Sequence, residues 1–302
     1  MAQRVLVTGG AGFIGSHLCE LLCARGFEVR VLDNLSFGRR DWLPAPVDFV
    51  LGDITDPEIC KRACDGVDGV FHAAAMSRAA PSLEAIDACT RQNIAGTQNM
   101  LLAARDAGVK RFIYSGSSTY YGNQPGPHRE DMRPQFLNFY ALSKYVGEEY
   151  CQLFDRVFEL PVVVLRYFNV YGPRQPQSGA YALVLGIFLS RWRHGQTLEI
   201  HGSGEQRRDF IHVRDVAAAN LAAYQSAIHG VALNVGSGVN ISVKELADMI
   251  SPDQVHVARR AGDAEITLAD ISRTTALLGW RPRIDFTAGL EELKQQALHG
   301  LD

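Results

Sequence analysis

A doubly wound α/β fold of Rossmann type, with a mostly parallel sheet and a smaller second lobe, is the class this sequence predicts. Three observations carry it. A short apolar run, Arg4 to Thr8, leads into Gly9, Gly12 and Gly15 and then into an amphipathic helix reaching about Arg25. A second apolar run, Glu28 to Leu32, stops at Asp33, some 18 residues beyond Gly15. Apolar strands and helical periodicity then alternate to about residue 167, which implies parallel strands joined by crossover helices.

The elements follow in order. Glycine trios are common in turns, but one placed between a strand and a helix is stronger evidence. Tight turning, close backbone approach and free N–H groups at a helix start suit the pyrophosphate of a dinucleotide. Asp33 can accept hydrogen bonds from the adenosine ribose hydroxyls and repels a 2′-phosphate, which favours NAD over NADP. Arg39 and Arg40 lie close enough in sequence to keep NADP as the minority reading. Val47–Leu51 is the third strand, and Asp53 either meets the adenine or caps the helix that begins near Pro57. The fourth strand, Gly69–His72, runs into Ala73-Ala74-Ala75, small residues against which a cofactor can lie; His72 is assigned no chemistry. A helix over 88–107 carries Asn93, and the fifth strand, Arg111–Ser115, opens into Gly116–Gly122. A long helical run spans Asn138 to Glu159, and Val162–Arg166 is the sixth strand.

Beyond Tyr167 the rhythm weakens. Helices are expected over Ala182–Arg193, Val213–Ala227, Val243–Ile250, Ser272–Leu278 and Thr287–Leu298. Strands are expected at Thr197–Ile200 and at Ala232–Val235, the latter rejoining the main sheet. The expected division is 1–169 with 212–236 for the dinucleotide, and 170–211 with 237–302 for the second lobe.

At 302 residues, 47% of them hydrophobic and 21% charged, the chain can bury a large core. The formal charge of −3 offers no basic excess to draw nucleic acid or an anionic membrane, so neither is an expected partner. No apolar run approaches the roughly 18 residues of a membrane-spanning helix, and the N-terminus shows no signal-peptide organisation. Cys19 and Cys23, and Cys60 and Cys64, sit at i, i+4 spacing in helical patterns, where thiols act as small buried hydrophobes. Neither a metal site nor a disulfide framework is indicated, and a reducing cytoplasm is the expected setting.

The chemistry points to Tyr140-Ala-Leu-Ser-Lys144. Four residues is about one helical turn, so the phenol and the ammonium share a face. A nearby cation favours the phenolate. Bringing a phenol from about 10 to about 7 takes roughly 4 kcal/mol, more than one exposed lysine supplies. An oxidised nicotinamide ring would add a second positive charge.

The Gly9–Gly15 loop, Ser117, Tyr140 and Lys144 together resemble the extended short-chain dehydrogenase/reductases, specifically the NAD-dependent sugar-nucleotide epimerase/dehydratase family. The likeness continues through Asp33, Asp53, Asn93, Arg166–Gln175, Gln206–Val216 and Asn234–Gly238. It implies a tightly held NAD, a nucleoside-diphosphate sugar between two lobes, and a homodimer built from the helices near 88–107 and 138–159. It implies cofactor contacts at Gly9, Gly12, Phe13, Ile14, Gly15, Asp33, Asn34, Asp53, Ile54, Ala73, Ala74, Asn93, Ser115, Tyr140, Lys144 and Tyr167. Tyr140 is then the base, Lys144 orients the nicotinamide ribose and lowers the phenol pKa, and Ser117 hydrogen-bonds the reacting hydroxyl. Ser118, Thr119 and Asn169 face the substrate, and Arg208 and Arg260 hold the diphosphate.

The resemblance also narrows the reaction. The family's 4,6-dehydratases carry an Asp-Glu pair where this chain has Ser118 and Thr119, and the decarboxylases tend to use a glutamate at the second place. Neither hydroxyl can do a carboxylate's acid–base work near neutral pH. A 4-epimerase is therefore the expected activity. Tyr167–Gln175 with Ser178-Gly-Ala-Tyr181 looks most like epimerases of UDP-N-acetylglucosamine. Thr267 falls where a large aromatic narrows the pocket of glucose-restricted members, so a threonine leaves room for a 2-acetamido group. UDP-glucose and UDP-glucuronate stay open. A net NAD(P)H-dependent oxidoreductase and a non-catalytic NAD-binding protein are the competing classes.

Overall fold

Strand β1 (Arg4–Thr8) places Val5 and Val7 on one face of a sheet and Leu6 on the other, and all three are fully buried. Burial on both faces calls for helices above and below, and the computed structural model has them. It describes residues 2–77, 79–179, 182–258 and 264–299.

After β1 come α1 (Phe13–Ala24), β2 (Glu28–Asp33), β3 (Asp48–Leu51), α2 (Pro57–Cys64) and β4 (Gly69–His72). Then follow α3 (Ala79–Glu84), α4 (Ile86–Thr90), α5 (Gly96–Asp106), β5 (Arg111–Ser117), α6 (Phe139–Phe158) and β6 (Val162–Tyr167). The remainder is β7 (Asn169–Tyr171), α7 (Val184–Arg193), β8 (Leu198–His201), β9 (Arg207–Arg208), β10 (Phe210–His212), α8 (Val213–Gln225) and β11 (Val231–Val235). The chain closes through β12 (Ile241–Ser242), α9 (Val243–Ile250), β13 (Gln254–Val257), α10 (Ser272–Leu278) and α11 (Phe286–His299).

The main sheet has the order β11-β6-β5-β4-β1-β2-β3, and every neighbouring pair is parallel. The order reverses direction at β1, the switch point beside which such sheets bind ligands at their carboxyl ends. Leu18 and Leu22 of α1 pack with α8 on one face; Met100 and Leu101 of α5 and Cys151 of α6 pack on the other. A separate core joins α7, β8, α9 and α11 through Leu185, Phe188, Leu198, Leu246 and Leu290. Short two-stranded pairings, β10 with β7, β12 with β9 and β13 with β8, bracket it.

Two elements depart from the expected reading. The helix expected over 88–107 is interrupted by a π-helical segment, Arg91–Ala95. The wider turn aims Asn93 inward. The strand expected to stop at Ser115 continues to Ser117, because Gly116 and Ser117 still pair with Arg166 and Tyr167 of β6. No described helix is long and apolar enough to cross a membrane. All six cysteines are unbridged, and the described residues hold no cluster of three His, Cys, Asp or Glu suited to a metal.

Candidate active site

The glycine loop is shaped by contact rather than by composition. Gly9 sits at φ +67°, and a Cβ there would lie 2.9 Å from the Ala74 backbone. At Gly15 a Cβ would meet the Gly9 carbonyl oxygen at 2.1 Å. Helix α1 therefore starts directly against β1, with Gly12 as a cap that offers no side-chain hydrogen bond and no acidic residue in the first turn. The first N–H groups are left for a ligand, and the helix dipole favours an anionic one. This cradle fits the pyrophosphate of NAD.

Asp33 lines the cleft beyond the glycine loop. Its Oδ2 accepts from Ala11 N at 3.0 Å and its Oδ1 from Leu35 N at 2.8 Å, which fixes the carboxylate in plane. Burial pushes its pKa up, against the pull of those two bonds. Burial also opposes ionisation of Asp53, but hydrogen bonds from Thr55 and from Asn34 (2.6 Å) outweigh it and leave the pKa lowered. Asp56, not Asp53, caps α2, accepting from Glu58 N and Ile59 N. Arg39 is paired with Asp41, and the Arg40 guanidinium lies over Phe49.

Asn138 caps α6 by accepting from Ala141 N at 2.9 Å. That start places Tyr140 in the first turn and Lys144 one turn on. Lys144 is 3% exposed, and burial pulls its pKa down to about 7, with the Cys151 and Cys89 thiols and Glu148 pushing the other way. The face of the Tyr114 ring, 4.1 Å from Nζ, supports the ammonium. Ser117 ends β5 across from α6, and its Oγ lies 2.8 Å from Thr119 Oγ1. His72 is wholly buried between Thr8 and Thr97, and burial holds it neutral with a pKa near 3.

The glycine loop, Asp33, Asp53, Ser117, Tyr140 and Lys144 border one cleft of about 1180 Å³. That exceeds the roughly 300–1,000 Å³ of a single drug-sized ligand, so a dinucleotide and a second molecule can share it. Gly9, Gly12, Phe13, Ile14, Gly15, Asp33, Asn34, Asp53, Ile54, Ala73 and Ala74 line it. Ser115, Ser117, Ser118, Thr119, Tyr140, Lys144, Tyr167 and Asn169 line it as well.

Three expected contacts stand elsewhere. Asn93 is fully buried behind the wall: Oδ1 accepts from Met76 N at 2.8 Å, while Nδ2 donates to Met76 O and Ser143 Oγ. Its polar atoms are spent on holding the segment after β4, so it supports the cleft rather than facing it. Arg208 is outside the wall, with Nη1 donating to the Arg207 and Glu265 carbonyls. Thr267 lies behind Asn169, its Oγ1 accepting from Asn169 Nδ2 at 2.9 Å and Asp209 N at 3.0 Å. Arg260, and Ala180 and Tyr181 of the motif after Gln175, lie outside the described residues.

Other residues were given no role in the sequence reading, although Arg174 and Asp209 fall inside the Arg166–Gln175 and Gln206–Val216 runs. Phe37, Trp42 and Arg174 line the cleft. Asp209, fully buried, accepts from Ser237 N and Oγ, Gly238 N and Ala269 N, joining three segments of the second lobe. Its single carboxylate falls between two short strands, where no periodicity marks it.

Residues 5–236 match the model of the "NAD dependent epimerase/dehydratase family". The chain is 35% identical over 302 residues to the UDP-glucose 4-epimerase of Mycolicibacterium smegmatis, covering 95% of this chain and 96% of that one. Among solved structures it is similar to the UDP-glucose 4-epimerase of Thermotoga maritima with UDP-glucose, with a TM-score of 0.95, 34% identity and coverage of 99% and 100%. It is also similar to the UDP-N-acetylglucosamine 4-epimerase of Methanobrevibacter ruminantium in complex with UDP-N-acetylmuramic acid, with a TM-score of 0.94, 32% identity and 99% of each chain covered.

Proposed function

The chain belongs to the NAD-dependent epimerase/dehydratase family, and from that premise we propose that it inverts C4 of a UDP-linked sugar. One observation carries the reading. Ser117, Tyr140 and Lys144 share the cleft, and Ser118 and Thr119 stand beside them where a dehydratase needs carboxylates.

Bound NAD supplies the hydride acceptor and, on return, the donor. The protein supplies the rest. Tyr140 takes the proton of the sugar 4-hydroxyl as C4 is oxidised, and Ser117 hydrogen-bonds the same oxygen. Lys144, held in a dry pocket, stabilises the phenolate when charged. The 4-keto sugar, tethered by its diphosphate, turns its other face before hydride returns. Arg208 and Arg260 are the proposed tether; Arg208 must leave its carbonyl partners to act. Residues 1–169 with 212–236 form the proposed cofactor domain, and 170–211 with 237–302 the proposed sugar-nucleotide lobe.

UDP-N-acetylglucosamine is the proposed substrate. Thr267 packs directly behind Asn169, so a larger side chain at 267 would push Asn169 into the cleft. Thr267→Tyr should therefore cut turnover of the acetylated sugar while sparing UDP-glucose. A wild-type enzyme that rejects the acetylated sugar outright removes the substrate assignment. A Tyr140→Phe variant with near wild-type epimerisation removes the mechanism.

A homodimer is proposed from α6. Phe139, Leu142, Val146, Tyr150, Leu153 and Val157 recur at three- and four-residue spacing, and Phe139, Leu142, Leu153 and Val157 are exposed, on the side away from Lys144. With six free thiols, the proposed setting is the reducing cytoplasm.

A further inference from the structure

We propose that Tyr120 is a positioning residue that keeps Ser117 and Lys144 in register through its phenol oxygen; this rests on the roles given to those two residues above. The serine comes from the end of a strand and the lysine from the second turn of a helix. Ser117 has to reach the sugar 4-oxygen while Lys144 steadies the phenolate that takes the proton from it, so some contact has to set the spacing between the two elements.

The phenol of Tyr120 makes that contact. Ser117 N–H donates to its oxygen at 2.9 Å, and its O–H donates to the Lys144 carbonyl at 3.3 Å. Tyr120 is 1% exposed, so water does not stand in for either bond. Its ring is held in place as well. The Arg166 guanidinium lies 5.4 Å from the ring centroid, and Tyr145 meets it edge-on at 5.5 Å. Arg166 is itself pinned to Glu148 through Nε at 3.1 Å and Nη2 at 2.6 Å.

The chemistry of the residue type matters. Ser117 caps the 3₁₀ turn Ser118–Tyr121, its Oγ accepting from Thr119 N at 3.3 Å. In such a box the third residue reaches back to the cap N–H, a task usually done by Glu or Gln. A carboxylate would satisfy the N–H but could not donate onward. A phenol accepts and donates at one atom, so it spans from the serine to the helix. Tyr114 donates to the same Lys144 carbonyl at 3.1 Å without touching Ser117, which makes it the natural control.

The test is a double-mutant cycle on the NAD-loaded enzyme with a UDP-sugar. Tyr120→Phe keeps the ring between Arg166 and Tyr145 and deletes only the hydroxyl. It should lower kcat about tenfold, the scale of one misplaced hydrogen-bonding group, and leave KM within about twofold. A sugar deuterated at C4 should show a larger isotope effect in this variant. In a Ser117→Ala background the Tyr120→Phe loss should shrink to less than about twofold, because the group it positions is gone. Tyr114→Phe, which frees the same Lys144 carbonyl, should itself lower kcat at least about threefold, and that loss should persist in the Ser117→Ala background. Equal Tyr120→Phe losses with and without the serine hydroxyl overturn the inference, as does an unchanged kcat in Tyr120→Phe. Collapse of the Tyr114→Phe loss as well would also overturn it, since the coupling would then be general. A Ser117→Ala enzyme with undiminished kcat overturns the reading of the site itself, and this inference with it.

Discussion

Replacing Lys144 by methionine removes an ammonium that burial opposes while keeping most of the stem's volume. The fold lowers this lysine's pKa from 10.5 to about 7. Each pH unit between those values is worth about 1.4 kcal/mol, so the gap amounts to roughly 5 kcal/mol. The sign follows from proton counts. Between about pH 7 and 10.5 the unfolded chain keeps the lysine proton and the folded chain does not. Unfolding takes up a proton, so the lysine's penalty is largest at and below pH 7 and fades as pH rises. Urea denaturation of the NAD-free protein should show Lys144→Met more stable than wild type at pH 7. That advantage should shrink by about 2 kcal/mol by pH 9. The variant's epimerase activity should fall at least about a hundredfold, because the phenolate loses its cation. A stability difference that does not change with pH would refute the account of the buried charge.

Three further outcomes follow from other contacts. Asp209→Asn turns an amide toward four donors and should cost about 3 kcal/mol in urea denaturation; a loss below about 1 kcal/mol would deny it a role in joining the second lobe. Asp33→Ser removes the carboxylate held by Ala11 and Leu35. It should narrow the preference for NAD over NADP by about tenfold in fluorescence titrations, and an unchanged ratio would move discrimination elsewhere. Paired Leu153→Glu and Val157→Glu changes should shift a dimer to monomers by light scattering, with no change in NAD content; an intact dimer would exclude the α6 stripe as the interface.

Much of the cleft lining around the glycine loop was legible because its signals are local. Gly9 and Gly15 are required by approaches of 2–3 Å between backbone segments a few residues apart or on adjacent strands, and the glycine spacing shows in the chain itself. Asp33 ends a strand, and Tyr140 and Lys144 need only one helical turn to share a face. Asn93 reads differently in three dimensions. Its place on a helix was visible, but the π-helical widening that turns it onto the Met76 backbone was not. Arg208 and Thr267 fell on plausible positions in order, yet their side chains are engaged by Glu265, Asn169 and Asp209, partners chosen by packing rather than by spacing.

By itself the sequence determined the periodicities, and with them the strands, the glycine cradle and the phenol–amine pair, because each is set by backbone sterics within a turn or a strand. The tertiary structure alone decided what lies behind those elements. The buried Glu148–Arg166 pair, the bond from the Tyr120 phenol to Lys144, and the Asp209 knot each join different elements of the fold. Such partners meet only after the sheet has closed and expelled water. Their pairing depends on which polar groups are left without a hydrogen bond at that point, a condition no local pattern records.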